Sequence, residues 1–244
     1  TFMEEYRTGE YAALVEDDVP VEDPGGSYVF TAHVGAVFPR FGNAMAGGYD
    51  VLVPVADTVG NAVVKMARLE PTDAVIMPLT YTSRNMAEVA RAMAGRLYGW
   101  GGLYENRDCS SLIKDLFTPF GVWLPRNSAQ QTRVGAVAKL DALEREAKIE
   151  RIVAEAIPFR TLLYMPGHIM LYLGERGGDP VVFHAIWGLR TKSEEGAVGR
   201  KIIGRAVITT TSPGMELELV QRSGYDLLTR IDSMNDPLAS PDKD

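Results

Sequence analysis

The spacing of apolar positions changes near residue 80 of this 244-residue chain. Before that point, short runs rich in Val and Tyr predict strands at Tyr11–Val15, Tyr28–Val34, Tyr49–Ala56, Ala62–Leu69 and Ala74–Met77. Turn clusters at Pro24-Gly25-Gly26, Gly47-Gly48 and Val59-Gly60-Asn61 separate them. Tyr49–Ala56 and Ala62–Leu69 read as a hairpin across Asp57–Asn61. Several short strands in so little chain predict a small closed or nearly closed all-β barrel. His33 falls inside it and reads as a surface or core-edge residue of that barrel. Polar residues from Thr80 to Asn85 mark the boundary. A helix is then predicted, capped by Asn85 with Glu88, with Met86, Val89, Ala90, Met93, Ala94 and Leu97 on its inner face and Gly99 at its end.

The segment from Tyr98 to Thr132 changes the picture from fold to chemistry. From Cys109 the apolar positions Leu112, Ile113, Leu116 and Phe117 follow a helical period, with Asp108 at the N-cap and Pro119 as the stop. Cys109 therefore lies in the first turn of a helix, pointing inward. The partial positive charge there favours a thiolate by only about 0.3–1 kcal/mol, so a nucleophile needs a proton acceptor beside it. Without one, a lone Cys is a small buried hydrophobe. Gly99, Gly101 and Gly102 lack the lysine and the strand-to-helix turn of a phosphate loop, and read as a close backbone approach to the cysteine helix.

Downstream, a charged surface helix is expected over Asp141–Ala156, with Asp141 and Glu144 as a cap pair. Phe159–Tyr164, His168–Leu173, Val181–Trp187 and Lys201–Thr211 read as strands, Ser223–Met234 as a terminal helix, and Asn235–Asp244 as a frayed tail. A hairpin centred near Gly177 would set His168 opposite Ile186 and His184 diagonally across from it, on one face, about 7–8 Å apart at Cβ. A slip of one residue would separate them. This pattern gives Cys109 as nucleophile, His168 as base and His184 as orienter. The same trio as a zinc site with an open position is the rival chemistry, and it lacks a closely spaced ligand pair.

Composition narrows the class. Apolar residues make up 46% and charged residues 23%, as in ordinary globular domains, and no run is long enough to span a bilayer. The net charge of −7 argues against nonspecific nucleic-acid binding. One cysteine excludes an intrachain disulfide. The opening at Thr1, without Met, reads as a processed or trimmed form, with any signal peptide out of view.

Tyr98-Gly-Trp100-Gly101-Gly102, Asp108-Cys109-Ser110, Leu124-Pro125-Arg126 with Ser128 and Gln131, Gly167-His168 and His184 together resemble the NlpC-type cysteine peptidases of bacterial cell-wall turnover. The resemblance covers about residues 86–211, with Ser111 where many members carry Gly. It implies an α+β fold: a papain-like peptidase domain over 81–244, preceded by an SH3-like barrel over 1–80. Its catalytic set maps to Cys109, His168 and His184. The Tyr98 hydroxyl would reach the pocket, and Asp108, Ser110 and Ser128 would bind the substrate end, with Arg126 bracing the loop. The implied activity is cleavage of the bond between γ-D-glutamate and a diamino acid such as meso-diaminopimelate, favouring a free N-terminal L-Ala. The implied partner is a peptidoglycan stem peptide or murein fragment, with no metal, organic cofactor or nucleic acid, no transmembrane segment, and a monomeric state. The implied place is the bacterial envelope, periplasmic or secreted, with cytoplasmic murein recycling as the alternative. The barrel would recognise wall peptide, wall one side of the cleft, or act as a spacer. An amidase or acyltransferase on the same scaffold, and a non-catalytic wall-binding protein, are the other functional classes.

Overall fold

The computed structural model describes residues 9–42, 47–224 and 226–240. The chain divides into two compact units, residues 1–93 with 115–123 and residues 94–114 with 124–244.

The first unit begins with β1 (Tyr11–Leu14), β2 (Val19–Glu22), β3 (Tyr28–Ala32), β4 (Val37–Pro39), β5 (Tyr49–Ala56), β6 (Ala62–Leu69) and β7 (Ala74–Ile76). These form a three-stranded sheet, β4-β1-β7, and a four-stranded sheet, β3-β2-β6-β5, with a bridge at Arg40–Val51. Ala12, Leu14, Val21, Val51, Val53 and Leu69 bury their side chains in the common core of this half-barrel. The β5–β6 hairpin has the expected register, from Tyr49 opposite Leu69 to Ala56 opposite Ala62. The Asp57 carboxylate closes its turn by accepting the N–H groups of Val59 (2.9 Å) and Asn61 (2.8 Å). Two strands, β2 and β4, were not legible because each is only four or three residues long and contains proline, which weakens so short a strand signal. Pro20 pairs with Thr31 of β3, while β2 meets β6 only at Glu22–Arg68, so β2 is close to an edge strand, where proline is tolerated. His33 stays local: its Nδ1 accepts the Asp18 N–H at 3.2 Å.

Helix α1 spans Ser83–Met93, and both of its ends differ from expectation. Thr82 is the cap, its hydroxyl accepting the Asn85 N–H at 3.1 Å, while the Asn85 amide donates to the Thr80 carbonyl at 2.8 Å. Glu88 bonds Arg91 instead of completing a capping box. Gly95, at φ +79°, ends the helical path well before Gly99. Leu97 therefore leaves the helix and bridges Arg205 as an edge residue.

The remaining elements are α2 (Cys109–Phe117), α3 (Ser128–Gln131), β8 (Ala136–Lys139), α4 (Arg145–Glu155), β9 (Leu162–Met165), β10 (His168–Arg176), β11 (Asp179–Lys192), β12 (Val198–Thr210), α5 (Glu218–Gln221), α6 (Leu227–Arg230) and β13 (Ser233–Asp236). The strands make a six-stranded antiparallel sheet in the order β12-β11-β10-β9-β13-β8. Leu163, Met165, Met170 and Val182 of this sheet pack with Ile152 of α4 and with Leu227 and Leu228 of α6.

The C-terminal segment departs from the sequence reading. Among the described residues of that segment, helix is confined to Leu227–Arg230, and Ser233–Asp236 is a strand paired on both sides, with β8 and β9. That pairing is long-range and leaves no local signature in so short a segment. Asn235 is buried, and its amide donates to the carbonyls of Gln131 (3.0 Å) and Val134 (2.8 Å). Residues 241–244 of the expected tail lie outside the described residues. In α4, Glu144 holds the N-cap position without a side-chain bond, so the Asp141–Glu144 cap pair does not form. Lys148 is buried rather than solvated, because its ammonium donates to the carbonyls of Thr229 (2.7 Å) and Ile231 (2.8 Å) at the end of α6.

Candidate active site

The head of α2 is built by a reciprocal cap. Asp108 Oδ1 accepts the Ser111 N–H at 2.9 Å, and Ser111 Oγ accepts the Asp108 N–H at 2.9 Å. A glycine at 111 would supply only half of this arrangement. Arg126 then forks onto the same carboxylate, with distances of 3.0 Å to Oδ1 and 2.6 Å to Oδ2, and also donates to Ser110 Oγ at 2.9 Å. Burial pushes the Asp108 carboxyl up, but the bonds from Arg126 and Ser111 outweigh it and hold the group down at about 2. Arg126 thus braces the exit loop through Asp108 itself. Gln131 adds a second tie by donating to the carbonyls of Ser110 and Pro125, each at 2.8 Å.

Cys109 is buried at the start of α2, with Sγ 3.9 Å from the Gly167 carbonyl. Burial pushes its thiol up to about 11, against the lowering pull of the Ile169 N–H. Tyr98 is likewise pushed up to about 12, first by burial and then by the negative charge that Cys109 and Asp108 would present. Gly99 allows the approach loop to fold back: a Cβ there would lie 2.5 Å from the Leu103 carbonyl oxygen and 2.5 Å from Asn106 Cβ.

The histidines are carried by β10 and β11. Met165 faces His168 across the two-residue turn Pro166-Gly167, where Gly167 has the φ of +84° that a type II turn requires at its second central position. Near its tip the β10–β11 hairpin pairs Arg176 with Asp179. Leu173 is an extra residue on β10, so beyond it the register becomes Tyr172 opposite Val182 and Leu171 opposite Phe183. Continued to the start of β10, this register sets His168 on the same face as His184. Their rings meet, with His168 Nε2 at 2.8 Å from His184 Nδ1.

The next bonds decide the tautomers. Thr209 Oγ1 donates to the Thr210 carbonyl at 2.7 Å, so it serves as an acceptor toward His184 Nε2 at 3.0 Å. His184 then carries its proton on Nε2 and accepts the His168 Nε2–H at Nδ1. This leaves a lone pair on His168 Nδ1. Burial depresses both imidazoles, His168 to about 4 and His184 well below its ordinary value. The resting set is a neutral thiol and two neutral rings. Among the described residues, no three His, Cys, Asp or Glu side chains converge as a metal site requires.

Cys109, Tyr98, Asp108, Ser110 and Ser128 line one cavity of about 450 Å³. His168 lines a neighbouring cavity of about 150 Å³, which shares Tyr98, Trp100 and Gly167 with the first. His184 is fully buried behind His168. Residues 95–195, which hold this constellation, match the NlpC/P60 family.

They are an NlpC/P60 domain. Residues 1–42 match the SH3 domain of SH3b2 type. Among solved structures, the NlpC/P60 endopeptidase from Photobacterium damselae subsp. piscicida aligns with 98% of this chain at a TM-score of 0.81 and 24% identity. This chain spans 56% of that protein's length. An NlpC/P60 family protein from Bacillus cereus ATCC 10987 aligns over 98% of this chain and 67% of its own, at a TM-score of 0.56 and 16% identity. At these identities the likeness is one of fold. No curated protein sequence matches the chain. The α+β architecture is therefore an NlpC/P60 papain-like domain preceded by an SH3b-like half-barrel. Thr209 escaped the sequence reading, although a strand over Lys201–Thr211 was expected. Its signal was a polar residue two positions from Val207, the partner of His184.

Proposed function

We propose that the chain is a cysteine endopeptidase of peptidoglycan stem peptides that cleaves between γ-D-glutamate and meso-diaminopimelate. The observation that carries this reading is the bond chain Thr209–His184–His168, which leaves the Nδ1 lone pair of His168 as the only basic position of that ring. In the mechanism, the Cys109 thiol gives its proton to His168 Nδ1 as sulfur attacks the glutamyl carbonyl carbon. The oxyanion takes backbone N–H groups at the head of α2. Collapse breaks the C–N bond, and the leaving nitrogen receives the proton from His168. Water, deprotonated by His168, then hydrolyses the thioester. Proton transfer within the pair leaves net charge unchanged, so burial that disfavours each ion alone disfavours the pair far less.

Ser128 and Tyr98 offer hydroxyls to the carboxylate of the D-glutamate, and Ser110, whose hydroxyl donates to Asp108 Oδ1 at 3.1 Å, would have to turn to join them. Selection of a free N-terminal L-Ala would fall to Asp108, whose carboxylate already bonds Arg126, so the ammonium would have to share it. N-acetylation of the peptide reads this feature directly. The SH3b-type unit suits attachment to the wall and supports a location in the cell envelope. Among the described residues, no helix is long and apolar enough to cross a membrane.

Incubation with L-Ala-γ-D-Glu-meso-diaminopimelate tests the reading. Release of free diaminopimelate, abolished in Cys109→Ala, supports it. Undiminished release by Cys109→Ala, or no release from any γ-D-glutamyl peptide, contradicts it.

A further inference from the structure

The smaller cavity has a chemical character of its own. Its walls include His168, Ile186, Trp187 and Arg200. Trp187 stands at an irregularity of the β11–β12 ladder, between Ile186 opposite Arg205 and Gly188 opposite Ile202. The residue is 43% exposed, and its ring centroid lies 6.0 Å from that of Tyr98. Arg200 is the charged residue lining the cavity. Its Nη1 donates to the Gly188 carbonyl at 3.3 Å, which anchors the guanidinium at the irregular step. Among the described residues no carboxylate pairs with it, in a chain with seven more acidic than basic side chains (32 against 25). Its remaining N–H donors are free to meet a ligand.

The direction of proton transfer assigns this cavity a role. His168 must return its proton to the departing nitrogen, so the departing amine lies at His168 and the acyl part stays on Cys109. The rest of the leaving group then occupies the cavity that His168 lines. An apolar wall ending in one unpaired guanidinium fits an aliphatic side chain that ends in a carboxylate. It repels one that ends only in an ammonium. We infer that this cavity is the leaving-group subsite and that Arg200 selects a diamino acid bearing a terminal carboxylate over lysine. The inference rests on the endopeptidase reading given above.

The test compares two peptides that differ in that carboxylate, L-Ala-γ-D-Glu-meso-diaminopimelate and L-Ala-γ-D-Glu-L-Lys. For the native protein, kcat/KM favours the first by about tenfold or more. Arg200→Gln brings the ratio close to one, Arg200→Lys keeps most of the preference, and Arg200→Glu reverses it. A native protein without preference, or an Arg200→Gln ratio equal to the native one, overturns the inference while leaving the endopeptidase reading intact. If neither peptide is cleaved, the endopeptidase reading fails, and affinity for the same peptides is measured on Cys109→Ala protein. Tighter binding of the diaminopimelate peptide that is lost on adding Arg200→Gln supports the subsite. Equal affinities, or no binding, overturn it.

Discussion

The Thr209 hydroxyl lies 3.0 Å from Nε2 of His184 and turns its own proton to the Thr210 carbonyl. That single orientation propagates through two rings and leaves His168 Nδ1 unprotonated. Thr209→Val strands a buried N–H, at a cost of about 1–3 kcal/mol, and frees His184 to adopt the other tautomer. We expect kcat to fall about tenfold or more with KM little changed, and Thr209→Ser to recover most of the loss. A Thr209→Val protein with native kcat would show that the hydroxyl does not set the proton positions.

Acid should act on stability before it acts on the resting chemistry. His168 has a folded value of about 4 against an ordinary 6.5, and His184 is lowered in the same direction. Between those values the unfolded chain binds more protons than the folded one. The stabilisation is fully present above 6.5 and is lost as pH falls through about 4, on the order of 3 kcal/mol from His168 alone. Urea midpoints measured across this window should fall in the native protein and fall less in His168→Gln. The acid limb of kcat/KM should lie near 4 rather than 6.5.

Asp108 separates capping from charge pairing. Asp108→Ala removes the acceptor for the Ser111 N–H and leaves Arg126 without its carboxylate, so it should lower stability by about 1–3 kcal/mol. Asp108→Asn retains a capping oxygen and should cost less. Thermal melts of the two variants check the order. Equal melting temperatures would mean that the cap contributes nothing.

The same-face placement of the histidines depends on the register of β10 against β11. β10 is buried on both faces from His168 to Tyr172, so apolar patterning does not select its register. Deleting Leu173 would leave Gly174 on Val181 and Tyr172 on Val182, whereas inserting one alanine between Met170 and Leu171 moves His168 one place along the ladder and turns it away from His184. Activity of the insertion variant should drop by about a hundredfold or more while far-UV circular dichroism stays near native. Retained activity would show that this register is not required.

The sequence made the cysteine helix legible because cap, period and stop agree within one short segment. The β5–β6 hairpin was legible because Asp57–Asn61 is a strong local turn. The histidine pairing was anticipated from a hairpin centred at Gly177. The tip in fact lies between Gly177 and Gly178, and the Leu173 bulge restores the expected parity beyond it. Other features are set by distant partners. β13 is a strand because β8 and β9 flank it, and Lys148 is buried because the α6 carbonyls receive it. Thr209 and Arg200 gain meaning only once β12 is aligned on β11.

The central claim is that Cys109 carries the acyl group of the substrate. Acid-quenched intact-mass measurement during turnover of L-Ala-γ-D-Glu-meso-diaminopimelate reads it most directly. The account predicts a species heavier by the L-Ala-γ-D-glutamyl group, mapped to the peptide that contains Cys109 and absent from Cys109→Ala. Turnover without any such adduct, continuing in the Cys109→Ala protein, would contradict it.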